Sequence, residues 1–230
     1  MTEKQRQNTT FENKKRVFII DDHPIVRDGL TTIINHEKDL DVCGHADGAP
    51  EALKAIAELR PDVVTVDIAL KSSDGIELTK DLKTRHPTLP MIVLSIYDEL
   101  TYAERALHAG ARAYLMKEVA SENIVAAIRT VLSGEIYVSN TMGKKLLRKM
   151  AAAGKTDTIS SAIDGLSDRE LEVFRLIGHG HKPSKIAQSM HLSVKTVETY
   201  RSRIKEKLNL ADADELLRYA IQWISSKYEG

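Results

Sequence analysis

Asp67 closes an apolar run, Val63, Val64, Thr65 and Val66, while Asp21 and Asp22 close another that spans Val17 to Ile20. A third run, Met91 to Leu94, ends on Ser95, and a fourth, Ala113 to Met116, ends on Lys117. In an open parallel sheet the carboxyl ends of all strands lie along one edge, where ligands bind, so residues far apart in sequence converge there. Three carboxylates, a hydroxyl and an ammonium are thus expected to share one pocket. Two unit charges about 5 Å apart repel by roughly 3 kcal/mol at an effective dielectric near 20. Three clustered carboxylates therefore need a cation beside them to stay ionised. A hard divalent ion such as Mg²⁺ fits, because it takes oxygen ligands, keeps several waters and is often completed by phosphate oxygens.

The elements that must hold these residues alternate. Strand-like and helix-like patterns follow one another from Arg16 to Ser133, five of each, with strands expected near Arg16 to Ile20, Leu40 to Gly44, Val63 to Asp67, Met91 to Ser95 and Ala113 to Met116. The strands do not alternate apolar with polar residues, which indicates burial on both faces and suits a parallel sheet covered by helices. Pro24 stands where a helix's first turn favours its fixed φ. Asp74 and Gly75 read as a turn, and Gly110 as the end of the helix that begins near Leu100. Beyond Ser133 come Gly134 to Asn140, a basic piece from Lys144 to Lys149, and Ala151 to Asp164, rich in small and polar residues without a period. This stretch reads as a linker.

From Leu166 onward the pattern is helical. Ser167 and Glu170 have capping-box spacing and open a helix to about Gly178. Pro183 opens the next, in which Ile186, Ala187 and Met190 share an apolar face. The turn His191, Leu192, Ser193 follows, Ser193 can cap a third helix to Leu208, and a fourth runs from about Ala213 to Trp223. Two short helices joined by a tight turn, the second more basic, make a helix-turn-helix.

On the helix from Val194 to Leu208, Val197, Tyr200, Ile204 and Leu208 recur at spacings of three and four and form the buried stripe. The opposite side carries Lys195, Glu198, Thr199, Ser202 and Arg203, flanked by Arg201 and Lys205 on one side and Lys207 on the other. Basic side chains there can neutralise phosphates, while short polar ones and Glu198 can reach base edges. Glu198 is equally placed to pair with Arg201 or to face solvent.

Formal charge is zero over the 230 residues, which hides an asymmetry. Residues 1 to 140 carry 17 Lys or Arg against 22 Asp or Glu, a net of minus five, whereas residues 181 to 207 carry seven against two. A basic patch on a neutral chain is the footprint of a nucleic-acid contact, although a solvated helix has the same charge. The single cysteine, Cys43, excludes a disulfide within the chain and fits a reducing compartment. No apolar run approaches the ~18 residues of a membrane span, and the polar start holds no signal-peptide core. A soluble, cytoplasmic protein is expected.

Nearly all of the chain after about Lys15 resembles the two-component response regulators of the NarL/FixJ subfamily. Asp21, Asp22, Asp67, Ser95 within VLSIYDE, the segment HAGARAYLMK and Lys117 follow the order of a receiver domain. LSDRELEVFRLI and KIAQSMHLSVKTVETYRSRIKEKL resemble a LuxR-type helix-turn-helix. The resemblance implies an α/β fold, a doubly wound five-stranded parallel sheet with the flavodoxin-like strand order 2-1-3-4-5, followed by a small all-α domain of four helices. It implies that Asp67 is the phosphoacceptor for a histidine kinase. Asp22 and Asp67 would bind Mg²⁺ directly together with the Ala69 backbone carbonyl, and Asp21 would bind it through water. Ser95 and Lys117 would hold phosphoryl oxygens, with Ser95 and Tyr114 moving together as a switch. DNA contacts are expected from Lys182, Lys185, Lys195, Thr196, Glu198, Thr199, Arg201, Ser202, Arg203, Lys205 and Lys207. Expected partners are a cognate histidine kinase, double-stranded promoter DNA with paired half-sites, RNA polymerase, and a second copy of the chain after phosphorylation.

The expected boundaries are a disordered extension over 1–14, a receiver over 15–138, a linker over 139–164 and a DNA-binding domain over 165–230. Glu118 follows Lys117 where many receivers have proline, and Lys182 with Pro183 replaces a polar pair common at the start of the scaffold helix. Ala69 and Tyr97 occupy places that influence phosphoryl lifetime in such receivers. An enzyme of the haloacid-dehalogenase type also uses a strand-end Asp with Mg²⁺, but it requires a second Asp two residues later, where this chain has Ala69. A nucleotide or flavin site would need a Gly-rich loop where Asp22, His23 and Pro24 stand. The remaining alternative is a phosphorylation-independent DNA-binding regulator whose receiver serves as a dimerisation module. With all five pocket residues present, a phosphorylation-dependent transcriptional regulator without turnover of its own is the expected function.

Overall fold

The computed structural model describes residues 14–70, 73–151, 163, 165–190 and 192–228. The expected N-terminal extension, apart from Lys14, and most of the expected Ala151 to Asp164 linker lie outside the described residues. The chain divides into two compact units, Met1–Leu147 and Arg148–Gly230.

In the first unit the order is β1 (Lys15–Ile20), α1 (Pro24–Asn35), β2 (Leu40–Ala46), α2 (Ala49–Leu59), β3 (Val63–Asp67), α3 (Gly75–Arg85), β4 (Met91–Ser95), α4 (Glu99–His108), β5 (Ala113–Met116) and α5 (Lys117–Leu132), followed by α6 (Asn140–Ala151), whose last residues fall past the unit's boundary. All strand pairs are parallel and their spatial order is β2-β1-β3-β4-β5, as expected. Alternate residues of each strand feed two cores. Val17, Ile19, Ile92 and Leu94 pack with Ile34 of α1 and Ile124 and Ile128 of α5. Phe18, Ile20, Val64 and Val66 pack with Ile56 of α2 and Leu78 and Leu82 of α3 on the other face. Burial on both faces explains why β3 and β4 do not alternate with polar residues, whereas the edge strand β2 leaves Asp41 and His45 exposed.

The register sets the functional edge. Ile20 stands beside Val66, Asp67 beside Leu94, and Ser95 beside Met116. The residues that leave each strand, Asp21, Asp67, Ser95 and Lys117, therefore emerge at one level.

Several local expectations change. β2 continues past Gly44 to Ala46, pairing His45 with Ile19 and Ala46 with Ile20. Asp74 and Gly75 do not form a free turn: the Asp74 carboxylate accepts from the backbone N–H groups of Ile76 and Glu77 and caps α3, with Gly75 as its first residue. Gly110 does follow α4, at φ +105°. Within the stretch expected as linker, residues 140–151 are helical as α6. Ser139 supplies the start, its hydroxyl oxygen accepting from Met142 N at 3.1 Å while it donates to Glu99 Oε2 of α4 at 2.5 Å. Met142 is fully buried, and Lys145 Nζ donates to the Leu100 carbonyl at 2.5 Å. Tyr137 forms a parallel bridge with Ala113 at the β5 edge.

The second unit is helical: α7 (Asp168–Gly178), α8 (Pro183–Ser189), α9 (Val194–Leu208) and α10 (Ala213–Tyr228). Ser167 and Glu170 form the capping box of α7, and Ser193 caps α9 by accepting from Thr196 N. Phe174 of α7 packs on Tyr219 and Trp223 of α10, with ring centroids 6.1 and 5.5 Å apart. α10 runs past the expected end at Trp223, to Tyr228. Of the expected turn before α9, His191 lies outside the described residues. Among the described residues, no helix is long and apolar enough to cross a membrane.

Candidate phosphoacceptor pocket and DNA-binding face

At the carboxyl edge of the sheet, Asp21 and Asp67 are fully buried and Asp22 is 6 % exposed. Lys117 reaches in from the start of α5. Its Nζ lies 2.7 Å from Asp21 Oδ2 and 2.8 Å from Asp67 Oδ2, so one ammonium bridges the two carboxylates. Burial pushes the Asp67 carboxyl above its ordinary range, and the nearby Lys117 offsets only part of that effect. Burial pulls the Lys117 ammonium down, but Asp67 and Asp21 more than reverse it and hold Lys117 above its ordinary value.

Asp67 Oδ1 accepts from the Ala69 backbone N–H at 3.1 Å. Ser95 is fully buried, and its Oγ accepts from Tyr97 N at 2.9 Å. Tyr114 is buried and donates its phenol proton to the Tyr97 carbonyl at 2.8 Å, so Ser95 and Tyr114 meet through the same residue. The rings of Tyr97 and Tyr102 lie 5.0 Å apart. Among the described residues no peptide bond is cis, including that between Lys117 and Glu118.

Two residues of the pocket escaped the sequence reading. His23 directs Nδ1 to 2.8 Å from Asp22 Oδ1, 3.1 Å from Asp21 Oδ1 and 3.8 Å from Asp67 Oδ2. Arg27, one turn into α1, donates to the Asp21 carbonyl at 2.6 Å. Their positions next to the acidic pair and the first turn of a helix are the signal that could have located them. One ligand atom each from Asp21, Asp22, His23 and Asp67 lie within 4.8 Å of one another, a spacing suited to a metal ion. Three carboxylates with one resident ammonium form an oxygen-rich, electron-rich cluster, and that donor set fits a hard divalent cation.

In the second unit Val197 and Ile204 of α9 are fully buried, and Tyr200 and Leu208 are half-buried beside them. Lys195, Glu198, Thr199, Ser202 and Arg203 are exposed, and Thr196, Arg201 and Lys205 are partly so. Lys182 and Lys185, at the start of α8, are exposed as well. Three side chains are already engaged within the helix: Glu198 pairs with Arg201 at 2.8 Å, and Thr199 Oγ1 donates to the Lys195 carbonyl at 3.0 Å. Lys207 differs from the rest. Its Nζ sits 2.6 Å from Glu170 Oε2 and 3.2 Å from the Gly165 carbonyl, which ties it to α7.

The family described as the response regulator receiver domain matches residues 17–129, and the bacterial regulatory proteins of the luxR family match residues 164–220. The chain is 34 % identical over 211 residues to the oxygen regulatory protein NreC of Staphylococcus epidermidis, covering 90 % of this chain and 97 % of NreC. It is 35 % identical over 207 residues to the response regulator GacA of Pseudomonas aeruginosa, covering 90 % and 95 %. Among solved structures it is similar to the RcsB response regulator of Salmonella enterica serovar Typhimurium bound to promoter P1flhDC with the phosphomimetic BeF3-. That match has 26 % identity and a TM-score of 0.56, with 90 % of this chain and 98 % of RcsB covered. A LuxR-family response regulator from Aurantimonas sp. SI85-9A1 matches with 28 % identity and a TM-score of 0.56, covering 60 % of this chain and 99 % of that one.

Proposed function

The chain belongs to the two-component response regulators, with a receiver domain followed by a LuxR-type DNA-binding domain, and from that premise we propose that Asp67 is its phosphoacceptor. The observation that carries the reading is the fully buried Asp67 held 2.8 Å from Lys117 beside Asp21. A carboxylate oxygen of Asp67 attacks the phosphorus of a phosphohistidine on a partner kinase, the phosphorus–nitrogen bond breaks, and the freed imidazole nitrogen takes a proton. Little covalent assistance is needed, so positioning and charge stabilisation decide the rate. Lys117 and Ser95 are placed to hold oxygens of the transferred group. Mg²⁺, held by Asp22, Asp67 and the Ala69 carbonyl and through water by Asp21, would neutralise the charge on those oxygens.

The Ser95 hydroxyl can donate to the phosphoryl group while its oxygen accepts the Tyr97 N–H, and Tyr97 also receives the Tyr114 hydroxyl, so a displacement of Ser95 is passed to Tyr114 through Tyr97. This supports the Ser95 and Tyr114 pair as the switch. The same pocket releases the phosphoryl group to water, and no small-molecule turnover is assigned. We place the receiver over 15–138 and the DNA-binding domain over 165–230. The latter contacts phosphates through Lys182, Lys185, Lys195, Arg203 and Lys205, with Thr196, Glu198, Thr199, Arg201 and Ser202 beside the bases. Phosphorylation promotes pairing of two copies on paired half-sites in the cytoplasm, and RNA polymerase reads the bound regulator. RcsB dimers bound to DNA support the paired arrangement.

Intact mass after incubation with acetyl phosphate and Mg²⁺ tests the assignment. One hydroxylamine-labile phosphoryl group is expected on the full chain and none on Asp67→Ala. Uptake by Asp67→Ala at the parent's stoichiometry would overturn it.

A further inference from the structure

The exposed side of α9 is less polar than its residue names suggest. Thr199 spends its hydroxyl proton on the Lys195 carbonyl, the back-bond that hydroxyl residues make in helices, which leaves it no proton to donate and offers a ligand its methyl group beside an acceptor oxygen. Glu198, the acceptor suited to a cytosine amino group, is held by Arg201 at 2.8 Å. Ser193 and Thr196 bond to each other at 2.7 Å, so both hydroxyls at the helix start are also engaged. Val194, the first residue of α9, is 48 % exposed although it is β-branched and apolar. The N-terminal residues of a recognition helix are those that reach base edges in the major groove. There the thymine 5-methyl group is the one apolar mark that distinguishes a base pair.

We infer that Val194 and Thr199 determine sequence specificity by packing their methyl groups against thymine methyl groups. This inference rests on the DNA-binding reading of the second domain and deepens it. Lys195, between them in sequence, supplies phosphate affinity without choosing a base.

A duplex enriched from a random library by the full-length chain provides the probe. Its thymines are replaced one at a time by deoxyuridine, which removes the methyl group and keeps the base pairing. Uridine at one or two positions of each half-site is expected to weaken the parent chain about fourfold, the equivalent of one buried methyl-sized group. Val194→Ala is expected to bind the thymine duplex more weakly and to lose its response to uridine at one position. Thr199→Ser loses the response at another, and Thr199→Val keeps it. Melting temperatures equal to the parent's show that the variants fold. If no uridine substitution weakens binding, or if Val194→Ala and Thr199→Ser respond to uridine as the parent does, the inference is overturned. A library that yields no enriched sequence overturns it together with the DNA-binding reading, whereas enrichment without uridine sensitivity sinks the inference alone.

Discussion

Lys117 Nζ lies 2.8 Å from Asp67 Oδ2 at the bottom of a pocket that also buries Asp21 and Asp22. One cation thus holds more negative charge than it can neutralise, and the imbalance has a pH signature. Below its unfolded value near 3.9, Asp67 is protonated in both states and costs nothing. Because burial raises its folded value, the penalty for ionising it builds as pH rises from the unfolded value toward the raised folded one and is complete above the latter. In the presence of a chelator, Asp67→Asn is therefore expected to melt higher than the parent at neutral pH. Its advantage shrinks as pH falls below the carboxylate range. Thermal melts across that range decide it, and a gain that persists in acid contradicts the linkage.

Lys117 acts with the opposite sign. Its folded value is lifted above 10.5, so its stabilisation is present at neutral pH and is lost as pH climbs through the raised value. Lys117→Met strips both Asp21 and Asp67 of their shared counterion. A loss of about 3 kcal/mol is expected at neutral pH, the scale of an uncompensated buried charge, with partial recovery in acid where the carboxylates protonate. Denaturant titrations at both pH values measure it.

Lys205 and Lys207 flank the polar face of α9 from opposite sides, and the structure gives them different partners. Lys205→Ala is expected to weaken binding to all DNA sequences about equally and to lower the salt slope by about one. Lys207 is bound to Glu170, whose carboxylate also accepts from Ser167 N at 2.8 Å to cap α7. Lys207→Ala should therefore lower stability by about 1 kcal/mol, a figure discounted because the ammonium is partly exposed, and leave the salt slope unchanged. A melt and a salt titration on each variant separate the two roles.

The strand-end residues were legible because a parallel sheet brings every carboxyl end to one edge whatever the loop lengths, so Asp21, Asp67, Ser95 and Lys117 needed only correct strand ends. Asp74 was read as a turn because Asp and Gly serve turns and helix starts equally, and only the N–H groups of Ile76 and Glu77 distinguish them. The bonds from Ser139 to Glu99 cross 40 positions of sequence, so the cap of α6 was hidden and its residues were assigned to the linker. Lys207 shows the same limit from another side. Periodicity identifies which face a residue occupies, but it carries no information about Glu170 on the neighbouring helix.

Ser139→Ala removes the N-cap of α6 and the hydroxyl bond to Glu99 Oε2 together, while the backbone N–H of residue 139 keeps its bond to Glu99 Oε1. The expected cost is about 1 kcal/mol, concentrated in α6. Amide exchange should show faster exchange at Gly143 and its neighbours while the β-strand amides keep their protection. Uniform loss across the receiver would contradict a local cap. Glu99→Gln, which keeps one acceptor for the Ser139 hydroxyl, should fall between the parent and Ser139→Ala.

Gly75 ties the cap of α3 to the phosphoacceptor itself. Its N–H donates to the Ile68 carbonyl at 3.1 Å, and a Cβ added there would stand 2.1 Å from the Asp67 carbonyl oxygen and 2.7 Å from Ile68 Cα. Both obstacles are backbone atoms, so no rotamer change relieves the clash, and either β3 or the first turn of α3 must move. Gly75→Ala is expected to cost about 3 kcal/mol, the upper part of the range for overpacking. Displacement of the Asp67 backbone should also reduce phosphoryl uptake from acetyl phosphate. Gly29 in α1 is the control, because a Cβ there meets nothing within 4 Å. Gly29→Ala should leave stability unchanged or raise it by up to about 1 kcal/mol through helix propensity. If both variants melt and take up phosphate alike, the close approach of Gly75 to Asp67 does not constrain the site.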